Sequence, residues 1–435
     1  MSTDSYRSRQ VVITGLGILS PCGIGREAFW NAIRERRSGV APVEQFECSN
    51  VSRGIGGEVK DFNDETIKKV YLKDLRKSLK VMSRDIQMAA AAASLALAES
   101  GIRGTVDPER IGVEYGANLI FSPPEDLQDA CWACTDDTRQ FHFERWGENG
   151  FAKMEPLWML KYLPNMPACH IAIYADARGP SNSLTLDEAS SNVVLTESLR
   201  ILRRGAADAM ITGATGTRLH PIRAMHARLW DAIGTADDPG RSCRPFDAHR
   251  NGQAIGEGAG CMILEEEAHA RARGVRIYGR LLGGGSSCAL DRDGRPRART
   301  ALVNAMRSAL EDAGLAPGDI GHISAHGTGD VASDHVEAEA IWDVFGDLAG
   351  RIPVAGLKGY TGNSGAGCGT LEAAASLLAA AEGVAPPTLN CEEPDPACRL
   401  NVTQDFVPVA SKTFLKINFT RAGQASATVF EALAP

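Results

Sequence analysis

A chain of 435 residues, 44% hydrophobic and 23% charged, has the length of two or three average domains and ordinary material for a large core. Its formal charge of −8 leaves no basic surplus for a nucleic-acid or membrane-surface partner, and it lacks an apolar run of the roughly eighteen residues that a membrane-spanning helix needs. The polar opening MSTDSYRSRQ has no apolar h-region, so no secretory signal peptide and a cytoplasmic location are expected. Eleven cysteines lie scattered without the spacing of a disulfide framework and read as reduced, packed thiols. Cys131 and Cys134 form a C-x-x-C with no second pair beside it, so no metal site is expected.

Strand-like and helix-like segments alternate along the chain. Val11 to Thr14 is a β-branched run closed by Gly15, and Ile111 to Tyr115 resembles it. Ser183 to Asp187 predicts a strand, followed by a helix from about Ala189 to Arg204 and a strand over Asp208 to Thr212. Cys261 to Leu264 and Ile277 to Leu282 predict strands, Ala301 to Ala313 a helix, and His322 to Ala325 a strand leading to a helix from about Ser333. Leu371 to Ala381 predicts a further helix and Phe414 to Asn418 a late strand. Such alternation implies parallel sheets covered by helices, here in two similar halves, 1–260 and 261–435. The segment from about 117 to 170, with Trp132, Trp146 and Trp158, fits neither half and reads as an inserted cap or interface region.

Four stretches in order give the chain a family likeness. They are Val11-Val12-Ile13-Thr14-Gly15-Leu16-Gly17, then Arg244-Pro245-Phe246-Asp247 with Gly256-Glu257-Gly258-Ala259-Gly260, then His326-Gly327-Thr328 with Asp334 and Glu337, and Lys358 with Thr361-Gly362 and Glu372. Together they resemble the elongating β-ketoacyl-ACP synthases over nearly the whole length. The resemblance implies a thiolase-like α/β fold, with duplicated halves in α-β-α-β-α layers, and a dimer paired through the strand near Ser183 to Asp187. It implies acyl carrier protein as partner, with the phosphopantetheine arm arriving on that carrier and no cofactor bound by the protein itself.

In that family a cysteine at a strand-to-helix turn carries the acyl chain, and counting from Gly179-Pro180 puts the position at Glu188. A thiolate at a helix start is a good nucleophile, whereas a carboxylate there forms no useful thioester. The resemblance makes His326 the first catalytic histidine, a donor to a thioester carbonyl, and gives the second histidine position to Asn363. Lys358 and Glu372 match a supporting pair, and Asp334 and Glu337 an acidic helix start. Thr328 matches one of two threonines that touch the phosphopantetheine arm, and Asp330 replaces the other.

Where the family has a gating phenylalanine, the chain has Arg421, and a buried ion pair between Arg421 and Glu188 is expected. Asp187 and Glu188, if on a strand, point to opposite faces and form no carboxylate dyad. The reading is a ketosynthase-like protein without condensing activity, a chain-length-factor-like partner in a homodimer or in a heterodimer with an active ketosynthase. Its alternatives are a malonyl-ACP decarboxylase using His326 and Asn363, or another acyl-thioester-binding enzyme.

Overall fold

The computed structural model describes residues 9–433; the polar lead 1–8 falls outside them. Eleven strands of one mixed sheet carry the fold: β1 (Val11–Ser20), β2 (Ile111–Ala117), β3 (Ser181–Leu184), β4 (Ala209–Thr217), β5 (Glu257–Glu266), β6 (Gly279–Cys288), β7 (His322–Ala325), β8 (Pro353–Gly356), β9 (Asn401–Val402), β10 (Thr413–Phe419) and β11 (Gln424–Ala432). They run in the order β9-β8-β7-β10-β11-β6-β1-β5-β4-β2-β3, with a short Gly23–Ile24 strand pairing β1.

The order is a duplication. In the first half β1 pairs antiparallel with β5 and β5 with β4, and β4, β2 and β3 then run parallel. In the second half β6 pairs antiparallel with β11 and β11 with β10, and β10, β7 and β8 run parallel. The halves meet where β1 pairs β6 at Val12–Arg280 and Ile13–Gly279. Their seam lies in the segment 267–278 rather than at 260/261, a point inside β5, because that strand continues to Glu266 to complete its ladder with β1.

Helix positions follow from side-chain size and polarity. α1 (Arg84–Ser100) is an alanine-rich helix lying on β1 and β5. Its approach is close: a Cβ at Gly17 would sit 1.8 Å from the Ala92 carbonyl, so only glycine fits there. α2 (Ser190–Arg203) contacts β2 and β4 of the first half and β6 and β11 of the second. Past α3 (Pro221–Trp230), α4 (Ala298–Ala313) covers β6 and β11, and α5 (Val331–Phe345) packs on α4. α6 (Cys368–Ala381) touches α2 and strands of both halves, and nearly every one of its residues is buried, as an all-round apolar helix requires. The layers are therefore α-β-α-β-α, with α2 and α6 in the middle.

The 117–170 segment holds a helix at Glu125–Ala133 and several short turns. It exposes Trp132, Phe141, Phe143, Phe151, Leu157 and Met159. Cys131 is exposed and Cys134 buried, both as free thiols. No helix among the described residues is long and apolar enough to cross a membrane.

Candidate functional site

The parallel strands end on one side of the molecule, and the crevice beyond the carboxyl ends of parallel strands is where open α/β sheets bind ligands. β3 leads to Glu188, β4 to Arg218, β7 to His326, β8 to Lys358 and Asn363, and β10 to Arg421. A cavity of about 440 Å³ opens there, with Glu188, Arg218, His326 and Asn363 in its wall.

Glu188 sits in a short 3-10 turn, Asp187–Ala189, that opens α2. β3 stops at Leu184, so Asp187 is not on a strand, and its positive φ of 42° turns the chain sharply. Both acidic side chains consequently line the cavity, rather than opposite faces. Each has its own arginine as partner rather than the other carboxylate. Asp187 lies 3.5 Å from Arg223, and Glu188 accepts a close charge-assisted hydrogen bond from Arg218. Burial alone would raise the Glu188 carboxyl pKa, but Arg218 and hydrogen bonds including that of Asn363 more than offset it, and the group stays below the ordinary range.

The expected partner is thus corrected. Arg421 is exposed in the tight hairpin turn between β10 and β11, with its guanidinium over the Trp230 ring at 4.9 Å. It lines the cavity but makes no ion pair with Glu188. Arg218 reaches it instead, directly from the end of β4, and also approaches Asp231 at 3.4 Å and Gln253 at 3.5 Å. Burial opposes the Arg218 charge, and Glu188 and Asp231 more than restore it.

Asn363 has two amide hydrogens and both are committed, to Gln253 Oε1 at 2.6 Å and to Glu188 Oε1 at 3.2 Å. Its own carbonyl oxygen accepts the Gly365 N–H at 2.9 Å and lies 3.3 Å from the buried Cys368 thiol. Cys368 is behind Asn363, and no thiol lines the cavity among the described residues.

His326 is fixed on its far side. Lys358 Nζ lies 3.1 Å from Nδ1 and donates to the His326 carbonyl at 2.6 Å. A lysine ammonium has only donors, so Nδ1 accepts and the ring proton is on Nε2. Asn418 also donates to Nδ1 at 3.1 Å, oriented by Asn192, which donates to its carbonyl oxygen at 3.2 Å. Burial, then Lys358 and Lys416, push the His326 pKa well down, so the ring is neutral and its Nε2–H remains unengaged among the described residues. The Phe419 ring packs against it at 4.8 Å.

Beneath the histidine lies a buried charge network. Glu372 bridges Lys358 and Lys416, each at 2.7 Å. Burial opposes both ammonium groups; Glu372 more than offsets this at Lys358, whose pKa rises, and only partly at Lys416, whose pKa falls. Glu337 accepts the backbone N–H of His326 at 2.6 Å and of Gly327 at 2.9 Å. Burial pushes its carboxyl up to about 7 against those two bonds. Gly327 has φ 41°, and a Cβ there would press on Phe246 and Gly356. Asp334 accepts from Phe246, Thr328 and Gly329 N–H at 2.8, 2.9 and 3.2 Å, with its carboxyl raised by burial to about 6. Asp330 caps α5 by accepting the Ser333 N–H at 2.8 Å, and both it and Thr328 line the cavity.

Every sequence-identified site residue therefore stands in or under one cavity. Arg218, Arg223, Asp231, Gln253, Trp230, Lys416 and Asn418 belong to it and escaped the sequence reading. Arg218 and Arg223 carried the clearest signal, one basic residue directly after the end of β4 and one in the first turn of α3.

The sequence matches the β-ketoacyl synthase N-terminal domain over residues 8–270 and the β-ketoacyl synthase C-terminal domain over 278–392. It is 32% identical over 403 residues to 3-oxoacyl-[acyl-carrier-protein] synthase 2 of Coxiella burnetii, covering 92% of each chain. It is 33% identical over 418 residues to the oxytetracycline polyketide putative β-ketoacyl synthase 1 of Streptomyces rimosus, covering 94% of this chain and 92% of that one. Among solved structures, the ishigamide ketosynthase/chain length factor superposes with a TM-score of 0.83 at 28% identity, over 98% of this chain and 100% of that one. A type II PKS acyl-carrier protein in complex with its ketosynthase bound to the hexaketide gives 0.81 at 27%, over 98% and 99%. Two matched domains that span nearly the whole sequence, on a duplicated fold shared with solved ketosynthases, place this chain in the β-ketoacyl synthase family.

Proposed function

We propose that this protein is a non-condensing member of its family that works beside an active ketosynthase in carrier-protein-dependent fatty-acid or polyketide assembly, as a chain-length factor does. One observation carries the reading. At the helix start where the family resemblance expects a thiol nucleophile, Glu188 is held as a carboxylate between Arg218 and Asn363. Condensation by the usual route requires a thiolate that holds the acyl chain as a thioester. An ion-paired carboxylate is a poor nucleophile, and its acyl product would be an anhydride rather than a thioester.

The same geometry weighs against malonyl decarboxylation through His326 and Asn363. Of the two donors that reading calls on, only the His326 Nε2–H is unengaged among the described residues, since both Asn363 hydrogens go to Glu188 and Gln253. An ionised Glu188 has no proton to give an enolate. The cavity wall sets Asp187, Asp231 and Asp330 beside Arg223 and Arg421, a poor lining for an apolar chain.

The surface supports an assembly role. β3 is an edge strand, open on its outer side among the described residues. Phe143 and Phe151 of the cap are 75% and 69% exposed, more than isolated surface residues need to be. The likeness to a ketosynthase/chain length factor structure makes a cysteine-bearing homologue the natural partner. The carrier protein brings its phosphopantetheine arm to the partner's site, and to the Thr328 side of this one.

Reconstitution tests this. The chain alone, with acyl- and malonyl-carrier protein, should form no 3-oxoacyl product, whereas the chain with a copurifying cysteine-bearing ketosynthase should. Product formation by the chain alone would refute the proposal.

A further inference from the structure

Building on the non-condensing reading, we propose that Arg218, and not the loss of the cysteine alone, shuts this cavity to acyl chains. The residue leaves the end of β4 and lays its guanidinium across the cavity floor. One nitrogen binds Glu188, and the other lies 3.4 Å from Asp231 and 3.5 Å from Gln253. Gln253 in turn accepts from Asn363 at 2.6 Å, and Asn363 donates to Glu188. The result is a closed polar ring of four side chains, Glu188, Arg218, Gln253 and Asn363, with Asp231 joined to it at Arg218.

The ring is anchored from both halves of the fold. Glu188, Arg218 and Gln253 come from the first, and Asn363 from the second. Its two principal charges are nearly enclosed, with 13% of the Arg218 side chain and 9% of the Glu188 side chain exposed. Removing Glu188 does not release Arg218, because Asp231 and Gln253 still hold it. A planar, always-charged guanidinium fixed at the floor excludes an apolar chain by volume and by desolvation cost together. It does not exclude a thiolate: beside Arg218 an introduced thiol would be more acidic than usual and reactive toward small reagents.

The experiment separates access from reactivity. The purified full chains Glu188→Cys, Glu188→Cys/Arg218→Ala and Glu188→Cys/Arg218→Lys are exposed to iodoacetamide and to octanoyl-pantetheine, with intact-mass readout. In the second reaction the introduced thiolate attacks the octanoyl carbonyl; a new carbon–sulfur bond forms, the old one breaks, and pantetheine thiolate leaves and takes up a proton. Labelling of a single thiol beyond the wild-type background, in a variant whose urea unfolding transition remains cooperative, establishes that each variant presents a folded thiol. The expected result is iodoacetamide labelling of all three and octanoyl transfer at least tenfold faster in Glu188→Cys/Arg218→Ala than in Glu188→Cys, with the lysine double variant between them. The lysine variant keeps a buried cation but loses the arm to Asp231, which guards against a misfolded alanine double.

Equal octanoyl transfer with and without Arg218 would overturn the proposal, as would no transfer in either labelled double variant. Neither result bears on the non-condensing role, which wild-type protein alone decides: 3-oxoacyl formation by the unmodified chain would sink that reading and leave the comparison between the variants intact.

Discussion

Replacing Arg218 with methionine should turn Glu188 from an ionised residue into a protonated one, and the cost should depend on pH. Breaking a buried ion pair by removing one partner costs about 3–5 kcal/mol when the other charge stays behind. Glu188 has an escape, since it can bind a proton. From an ordinary pKa of about 4.3 that caps its share of the loss at about 3.7 kcal/mol at pH 7 and about 1 kcal/mol at pH 5.

The sign follows from the two folded states. In the wild type the Glu188 pKa is lowered, so its stabilisation is present above the unfolded value and is lost as pH falls through the folded one. In the variant, burial without Arg218 raises the folded pKa, so stability is lost as pH rises above the unfolded value. The difference between the two proteins should therefore widen from about pH 5 to pH 7. Urea unfolding followed by tryptophan fluorescence at several pH values measures it. A stability difference that stays constant across that range would refute an ionised Glu188–Arg218 pair.

The other predictions concern the layer below and the surface. Glu372→Gln leaves Lys358 and Lys416 buried without their shared carboxylate, and stability should fall by about 3–5 kcal/mol or more at pH 7. The Lys358 pKa then drops below the unfolded one and that of Lys416, already below it, drops further, so the deficit should shrink as pH rises toward about 10; the same unfolding experiment run at alkaline pH checks this. Nitrogen NMR of His326 should show a neutral ring with the proton on Nε2 and no titration between about pH 5 and pH 8; a midpoint near the ordinary histidine value would contradict the buried, lysine-flanked environment. The double change Phe143→Asp/Phe151→Asp should weaken assembly, and light scattering should show a larger fraction of the 46.3 kDa monomer without loss of helical signal.

Much of this site could be read in the sequence because the chemistry sits in short, contiguous motifs. His326-Gly327-Thr328 and Lys358 to Asn363 each follow a strand directly, so local pattern places them at its carboxyl end. The helix expected from about Ala189 begins at Ser190 because nothing competes with its periodicity. Asp187 is expected at the end of a strand because an acidic residue with positive φ leaves no mark in a hydrophobic pattern, whereas Glu188 stands at the expected strand-to-helix turn. The Arg218 pairing was hidden for a different reason: thirty residues separate the partners, and which of several arginines reaches a buried carboxylate depends on turn length. Arg421 stood at the resembling position, but a hairpin turn tied to its strands by Phe419↔Ala425 holds it over Trp230. Lys416 lay inside an apolar strand, where a lone lysine reads as a surface residue until Glu372 is seen beneath it.

Intact-mass analysis of malonyl-carrier protein incubated with the purified chain, with His326→Ala as the control, asks whether this cavity does chemistry on an acyl thioester by itself. The ion-paired Glu188 and the committed Asn363 predict an unchanged malonyl mass in both samples. Conversion to acetyl-carrier protein by the wild type, abolished in the control, would contradict the account.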